Sequence, residues 1–407
     1  MHILIVSTYG FDPAFPSRPE QLQARALVRR GHTVVAHEYR DRRYAGQTLR
    51  HEWLPAGIAV HRAPTYGFFA PEALLRLYHA DRPQIIHLHH LRSLLGFQTV
   101  LAARRMGIPT VLTVHGLLHD GDLVVDRERP LEAPLRYHNL LTTPGRLVRR
   151  LATGAHPRRT LRNYLIHAPL LWVDRVVALS YGERDLLARI GVHPLKISVL
   201  PNALDLEDVA SQQAENIPSE VPTLLFIGQL VPRKGYDLLL RALPAVMKAV
   251  PTVRCICVSH NRADEAEFWR LAREGGVAER IELRGRVSEA EKMALLRSAT
   301  VVVAPSRYEG FGIPLIEALL AGAPVVTTDV MAGNEVISHE QTGLLTPYGD
   351  VDALAVAIIR LLRDQPLAQR LAATGRQEVL ERYDANRLAA ELEQLYQRLI
   401  VARKTRQ

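Results

Sequence analysis

The sequence predicts an α/β protein made of two successive βα-layered domains that face each other across a cleft. Three observations carry this. Short β-branched runs alternate with amphipathic stretches twice over, the pattern of a parallel sheet covered by helices. The polar, proline-containing stretch SQQAENIPSEVP (211–222) separates the two series. The chain of 407 residues is long enough for two or three cores.

In the first series, HILIVST opens a strand and a helical pattern follows near Gln21 to Arg30. HTVVAHEY, IAVHRAP, PQIIHLHH, PTVLTVHG and RVVALS are the next strands, with helical patterns between most of them. KISVLPNALD closes the series. In the second, TLLFIGQL, VRCICVS, IELRGRV, TVVVAPS and PVVTTD are strands, and the helices fall near Tyr236 to Val250, Glu265 to Glu274 and Ser288 to Ser298. Three helical stretches end the chain: roughly Asp350 to Leu362, Leu367 to Arg382 and Asn386 to Lys404. The expected division is 1–205, 206–382 and a C-terminal helix in 383–407 that packs back on the first domain, with a basic insertion at about 117–172. Open parallel sheets bind ligands at the carboxyl ends of their strands, so the chemistry is expected between the two halves.

Composition removes several classes. Hydrophobic residues at 47% and charged residues at 23% exclude disordered and fibrous chains. No apolar run approaches the roughly 18 residues of a membrane span, and the N-terminus lacks a basic leader region, so a cytoplasmic location is expected. Cys255 and Cys257 are the only cysteines, which excludes a disulfide framework and a four-cysteine zinc site. Residues 1–205 hold 27 Lys+Arg against 16 Asp+Glu, net +11, whereas 206–407 are net −2. The first half is therefore matched to an anionic partner. Aromatic content of 6% and the lack of any helix-turn-helix, finger or RNP-like pattern argue against nucleic acid.

The most informative stretch is SRYEGFGIPLIEALLAGAPVVTTD (306–329), because from Gly310 to Thr328 its single charged residue is Glu317. Pro314 suits the first position of a helix, while Gly322 and Pro324 end it, so a short buried helix is expected from about Pro314 to Ala321 with Glu317 in its first turn. Glu309, Gly310, Phe311 and Gly312 precede it as a loop whose backbone amides can approach a phosphate at the positive end of the helix. Two carboxylates eight positions apart can accept hydrogen bonds from hydroxyls at the two ends of a sugar nucleotide. GQLVPRKG (228–235) sets Arg233 and Lys234 at a strand-to-helix turn, where they can hold a diphosphate and neutralise it as it leaves.

Taken together these pieces resemble the retaining glycosyltransferases of family 4 (glycosyl transferases group 1), which have the GT-B fold of two facing Rossmann-like βαβ domains and use nucleotide-diphosphate sugars. The pattern is carried in order by TVHG around His115, VLPNALD near Asn202, GQLVPRKG, RGRV at 284–287, the Glu309/Glu317 pair, and GNEVI followed by TGLLTP. The resemblance implies that Glu309 contacts donor-sugar hydroxyls, that Gly310, Phe311, Gly312 and Ile313 present the loop to sugar and phosphate, and that Glu317 holds the ribose. It implies that Arg233 and Lys234 bind the diphosphate beside Gln229, that Arg286 and Val287 flank the base, and that His115 faces the donor sugar near its anomeric carbon. Gly10 and Arg18 are the acceptor-side candidates. The expected catalytic set is His115, Glu309, Lys234 and Arg233, with no metal or other cofactor; the Asp-Gly-Asp triplet Asp120 to Asp122 is read as a loop.

The chain departs from the family pattern at Gln229, often Arg, at Ala203 in place of glycine, at Ser259-His260 in place of glycines, and in the reduced turn at Tyr9-Gly10. On the acceptor side, Ala133 to Val173 contain no carboxylate and seven arginines: Arg136, Arg146, Arg149, Arg150, Arg158, Arg159 and Arg162. A helix there would group Leu147, Val148 and Leu151, which suits an anionic membrane surface and a lipid-linked or glycan acceptor in polysaccharide biosynthesis, with a UDP- or GDP-sugar as donor. The alternatives are a transferase with a soluble acceptor, a sugar-nucleotide epimerase and an inactive sugar-nucleotide-binding protein. Acceptor-dependent product formation separates them.

Overall fold

A computed structural model of the chain describes residues 1–8, 10–12, 16–40, 50–64, 82–90, 94–116, 144–154, 157–206 and 221–405. The stretch 211–220 of the expected linker, Tyr9, the Asp120 to Asp122 triplet, Arg136 and the side chain of Arg159 lie outside the described residues. The chain divides into two compact units. The described part of the first comprises residues up to 116, 144–205 and 385–405; that of the second comprises 206 and 221–384.

The first unit is an eight-stranded sheet of β1 (His2–Ser7), β2 (Thr33–Arg40), β3 (Arg50–Leu54), β4 (Ile58–Pro64), β5 (Ile85–His89), β6 (Thr110–Thr113), β7 (Arg175–Ala178) and β8 (Ile197–Val199), in the order 3-4-2-1-5-6-7-8. All of its pairings are parallel except β3 with β4. The inner strands are buried on both faces, which is why β1, β5 and β6 read as near-continuous apolar runs. The Pro19–Arg29 helix covers one face, and the last helix, Ala385–Lys404, packs against it. Ala385, Ala389, Leu392, Leu395 and Tyr396 join the core of Ile3, Ile5, Leu27, Ile85 and Val111.

The second unit is a six-stranded, wholly parallel sheet: β9 (Thr223–Ile227), β10 (Arg254–Val258), β11 (Ile281–Arg284), β12 (Val301–Ala304), β13 (Val325–Thr328) and β14 (Leu344–Thr346), in the order 11-10-9-12-13-14. The strand order reverses at β9, from which the chain runs outward to β10 and later returns to β12 on the other side. Loops leaving the carboxyl ends of β9 and β12 must therefore diverge, and a crevice opens between them. Both units are Rossmann-like, each a largely parallel sheet layered with helices. Cys255 and Cys257 are buried on β10 with sulfurs 3.8 Å apart.

Candidate functional site

In the second unit, the loop after β9 and the loop after β12 bring the two predicted groups together. Lys234 Nζ lies 2.5 Å from Glu309 Oε2, both side chains being about one-seventh exposed. They line a crevice with Phe226, Ser306, Leu315 and Thr327 at the carboxyl ends of β9, β12 and β13. Three contacts hold the cation loop in place. Arg307 makes a bidentate pair with Asp237, 2.6 Å for each bond, and donates to the Pro232 carbonyl at 2.6 Å. The Arg307 amide donates to the Arg233 carbonyl at 2.8 Å. Gly235 has φ +68°, and a β-carbon on it would stand 1.8 Å from the Pro305 carbonyl oxygen, so only glycine lets the two loops approach this closely.

The helix after the glycine loop runs Ile313–Leu320 and is capped by Gly312 at φ +94°. It starts one residue before the expected position, with Pro314 second, because Gly312 rather than Ile313 supplies the left-handed turn into the helix. Glu317 therefore sits in the second turn and not the first, and it does not serve as a first-turn partner of the helix dipole. Instead it is buried, and Lys292 Nζ meets its Oε1 at 2.7 Å while also reaching Glu289 at 2.7 Å. Burial pushes the Glu317 carboxyl up from its ordinary value, and Lys292 only partly offsets this. Burial alone would lower the Lys292 ammonium; the carboxylates of Glu317 and Glu289 outweigh it and hold it above the usual lysine value. Lys292 was not legible as a site residue, because it reads as one member of an exposed-looking EAEK run.

Phe311 is buried with its ring against Tyr383, centroids 5.6 Å apart, so its side chain packs the loop and only its backbone is left for a ligand. Gly310 is buried beside it, and Ile313 is half-buried. Arg233 is half-buried next to Lys234. Arg286 is exposed and Val287 half-buried in the loop after β11; neither lines the crevice. Two departures from the family pattern meet each other. Gln229 Nε2 lies 3.2 Å from His260 Nε2, and the buried Ser259 hydroxyl accepts from the Leu230 amide at 3.2 Å and donates to the Asn261 carbonyl at 2.7 Å. A serine there braces the loop that a glycine would leave unbraced.

In the first unit, His115 stands just beyond β6 with φ +52°, a conformation held from its neighbour: the Glu183 carboxylate accepts the Gly116 amide at 2.9 Å and the Leu179 amide at 2.8 Å. His115 Nε2 is 2.7 Å from His89 Nδ1. Burial, with His90 nearby, pushes the His115 imidazole down to about 3, and burial does the same to His87. Glu20 is 2.5 Å from His90 Nε2. Burial alone would raise the Glu20 carboxyl, but His90, His115 and His89 outweigh it and hold it well below the carboxylate range. This His-rich cluster went unread because HLHH looks like a strand ending in surface histidines. His115 also lines an apolar crevice with Leu22, Leu179, Asn202, Ala203 and Leu388; the Ala203 departure places a methyl there.

Gly10 is buried, a β-carbon on it would collide with the Ser7 hydroxyl at 2.3 Å, and Gln21 Nε2 donates to its carbonyl at 3.2 Å. Arg18 is half-buried and precedes the Pro19–Arg29 helix as its N-cap residue. The Pro144–Thr153 helix carries Arg146, Arg149 and Arg150, with Val148 66% exposed; it packs on the Pro157–Trp172 helix, which carries Arg158 and Arg162 and leaves Leu161 exposed. Among the described residues no helix is long and apolar enough to cross a membrane.

Largely parallel sheets of this order, with a cation loop and a glycine-carboxylate loop at one switch point, define an α/β protein with two Rossmann-like units. The chain belongs to the family 4 type of glycosyltransferases: residues 22–208 match the model of "Glycosyltransferase Family 4" and residues 209–378 that of "Glycosyl transferases group 1". It is 36% identical over 228 residues to a phosphatidyl-myo-inositol mannosyltransferase of Mycobacterium leprae, a match covering 55% of this chain and 59% of that protein. A glycogen synthase of Mycobacterium tuberculosis is 29% identical over 240 residues, covering 57% and 56%. The chain thus spans less than two thirds of the curated relatives it matches. Among solved structures, sucrose-phosphate synthase from Thermosynechococcus elongatus superposes over 99% of this chain and 100% of its own with a TM-score of 0.73 at 24% identity. Anabaena HepE, solved with UDP and glucose, superposes over 97% and 99% with a TM-score of 0.68 at 16% identity.

Proposed function

We propose that the chain is a retaining hexosyltransferase that moves a sugar from a UDP- or GDP-linked donor to a hydroxyl of a lipid-linked saccharide or glycolipid in polysaccharide or cell-envelope biosynthesis. The observation that carries it is the Lys234–Glu309 contact at the mouth of the β9/β12 crevice, beside the buried glycine turn of Gly310 to Gly312. The mannosyltransferase relative supports the glycolipid acceptor, and the solved structure holding UDP supports the donor class.

In this reading Lys234 exchanges its carboxylate partner for the donor diphosphate, with Arg233 beside it, and Glu309 is released to accept hydrogen bonds from the sugar. The bond from the anomeric carbon to the phosphate oxygen breaks as the acceptor oxygen bonds to the same face. The acceptor proton passes to the leaving phosphate oxygen. The two cations neutralise the departing diphosphate without a metal, a stabilisation of the kind whose loss costs a hundredfold or more in rate. Glu317 takes the ribose and His115 the donor sugar. The exposed Val148 and the arginines of the Pro144–Thr153 helix suit peripheral attachment to the anionic inner face of a membrane.

The test is a thermal-shift panel of UDP, GDP, ADP and their common sugars, with Glu317→Ala as control. One nucleotide is expected to stabilise the chain, and the variant is expected to lose that response. No response to any of them would overturn the donor assignment.

A further inference from the structure

We propose that Glu20, His89 and His115 form a binding site for a transition-metal dication of the zinc class. A carboxylate oxygen of Glu20 and one ring nitrogen from each histidine lie within 4.8 Å of one another. Ligand atoms around tetrahedral zinc, with bonds of about 2.0–2.2 Å, are roughly 3.3 Å apart. His89 Nδ1 and His115 Nε2, 2.7 Å apart and sharing a proton, need to open by only roughly half an ångström for the dication to replace that proton.

The ligand pair is shielded from solvent: His89 is 4% exposed, and its Nε2 is buried without a hydrogen-bond partner among the described residues, so Nδ1 is the nitrogen that meets His115.

The three ligands come from separate, externally braced elements. His89 ends β5; His115 is fixed through Gly116 and Glu183; Glu20 lies in the first turn of the Pro19–Arg29 helix. An outer layer is also present, with His90 on Glu20 at 2.5 Å and the Ser7 hydroxyl 3.5 Å from the same oxygen. Two imidazoles and one carboxylate select Zn2+, Co2+ or Ni2+ over Mg2+ or Ca2+, and three protein ligands leave a fourth position for water. Occupation would take the imidazole assigned to the donor sugar, a consequence that rests on the transferase reading; the binding itself does not.

The test therefore uses the full chain without nucleotide. After chelator treatment, Co2+ is titrated and the visible ligand-field band followed, then Zn2+ is added in competition, and cobalt-edge absorption counts the imidazoles. One equivalent bound through two imidazoles and displaced by Zn2+ is expected. Losing an outer-layer partner alone lowers metal affinity about 10–100-fold, so His89→Ala is expected to weaken binding by at least about tenfold. His339→Ala, at an exposed histidine of the other unit, is expected to leave it unchanged. No band at one equivalent, a count other than two imidazoles, or a band that persists in folded His89→Ala and Glu20→Gln chains would overturn the site.

Discussion

Lys234 and Glu309, one cation and one carboxylate on separate loops and mostly shielded, neutralise each other, and on the proposed reading a nucleotide-sugar donor competes for both. Lys234→Ala is expected to lower turnover by on the order of a hundredfold, read on chains that circular dichroism shows to be folded, since the loss also leaves Glu309 unpaired in a largely shielded position. Near-normal turnover in steady-state assays would remove Lys234 from the reaction. The histidines of the first unit make a different prediction. His87, His89 and His115 are all held below their ordinary value of 6.5 by burial, so between pH 6.5 and the folded values the unfolded chain binds more protons. Stability is full above pH 6.5 and falls as the pH drops, with a slope approaching about 1.4 kcal/mol per pH unit for each histidine. Glu20, also depressed, adds to the loss below its ordinary 4.5, whereas the raised Glu317 acts in the opposite sense just above 4.5. Urea midpoints measured with chelator present should decline from pH 7 to 5; a flat profile would show the imidazoles to be solvated.

At the scale of elements, the Glu289–Ser298 and Ile313–Leu320 helices are joined by one buried ion pair, Lys292 with Glu317. Removing the lysine strands a buried carboxylate, so Lys292→Ala is expected to cost on the order of 3 kcal/mol, and adding Glu317→Gln to recover most of that. On the donor reading the double variant regains stability in denaturant titrations without regaining nucleotide binding; a double variant that binds normally would leave Glu317 a purely structural role. The same elements show what could be read in the sequence. The Glu265–Glu274 helix and the core strands were legible because their apolar period is unmixed. β3 was missed because RHEWL carries charges and forms an edge strand, and β14 because LLT is only three residues long. The Glu309 loop was legible through its glycines and lone carboxylates. Lys292, Arg307 with Asp237, and Glu183 were not, because each acts on a residue distant in sequence and has no local pattern to betray it.

At the scale of the whole molecule, the last helix belongs to the unit in which the chain begins. Leu388, Leu392, Leu395 and Tyr396 are buried there, the Tyr396 hydroxyl lies 2.5 Å from His87 Nδ1, and Glu393 pairs with Arg30 at 2.7 Å. Burying four large apolar side chains contributes about 1.5–3 kcal/mol each, a sum comparable with the 5–15 kcal/mol that typically stabilises an entire domain. The surface pair with Arg30 adds little by comparison. A chain ending at Asp384 is therefore expected to lose the first unit's cooperative unfolding, with rapid hydrogen exchange at the Ile3 to Val6 amides. The second sheet has its own core of Leu224, Phe226, Leu239, Val303 and Ile358, so its amides should stay protected in the same sample. Protection that survives in β1 would mean that the Ala385–Lys404 helix covers a core able to stand without it. Tyr396→Phe then separates packing from the polar contact: the ring is kept, and only the bond to His87 and the thermal stability attached to it, about 1 kcal/mol, should be lost.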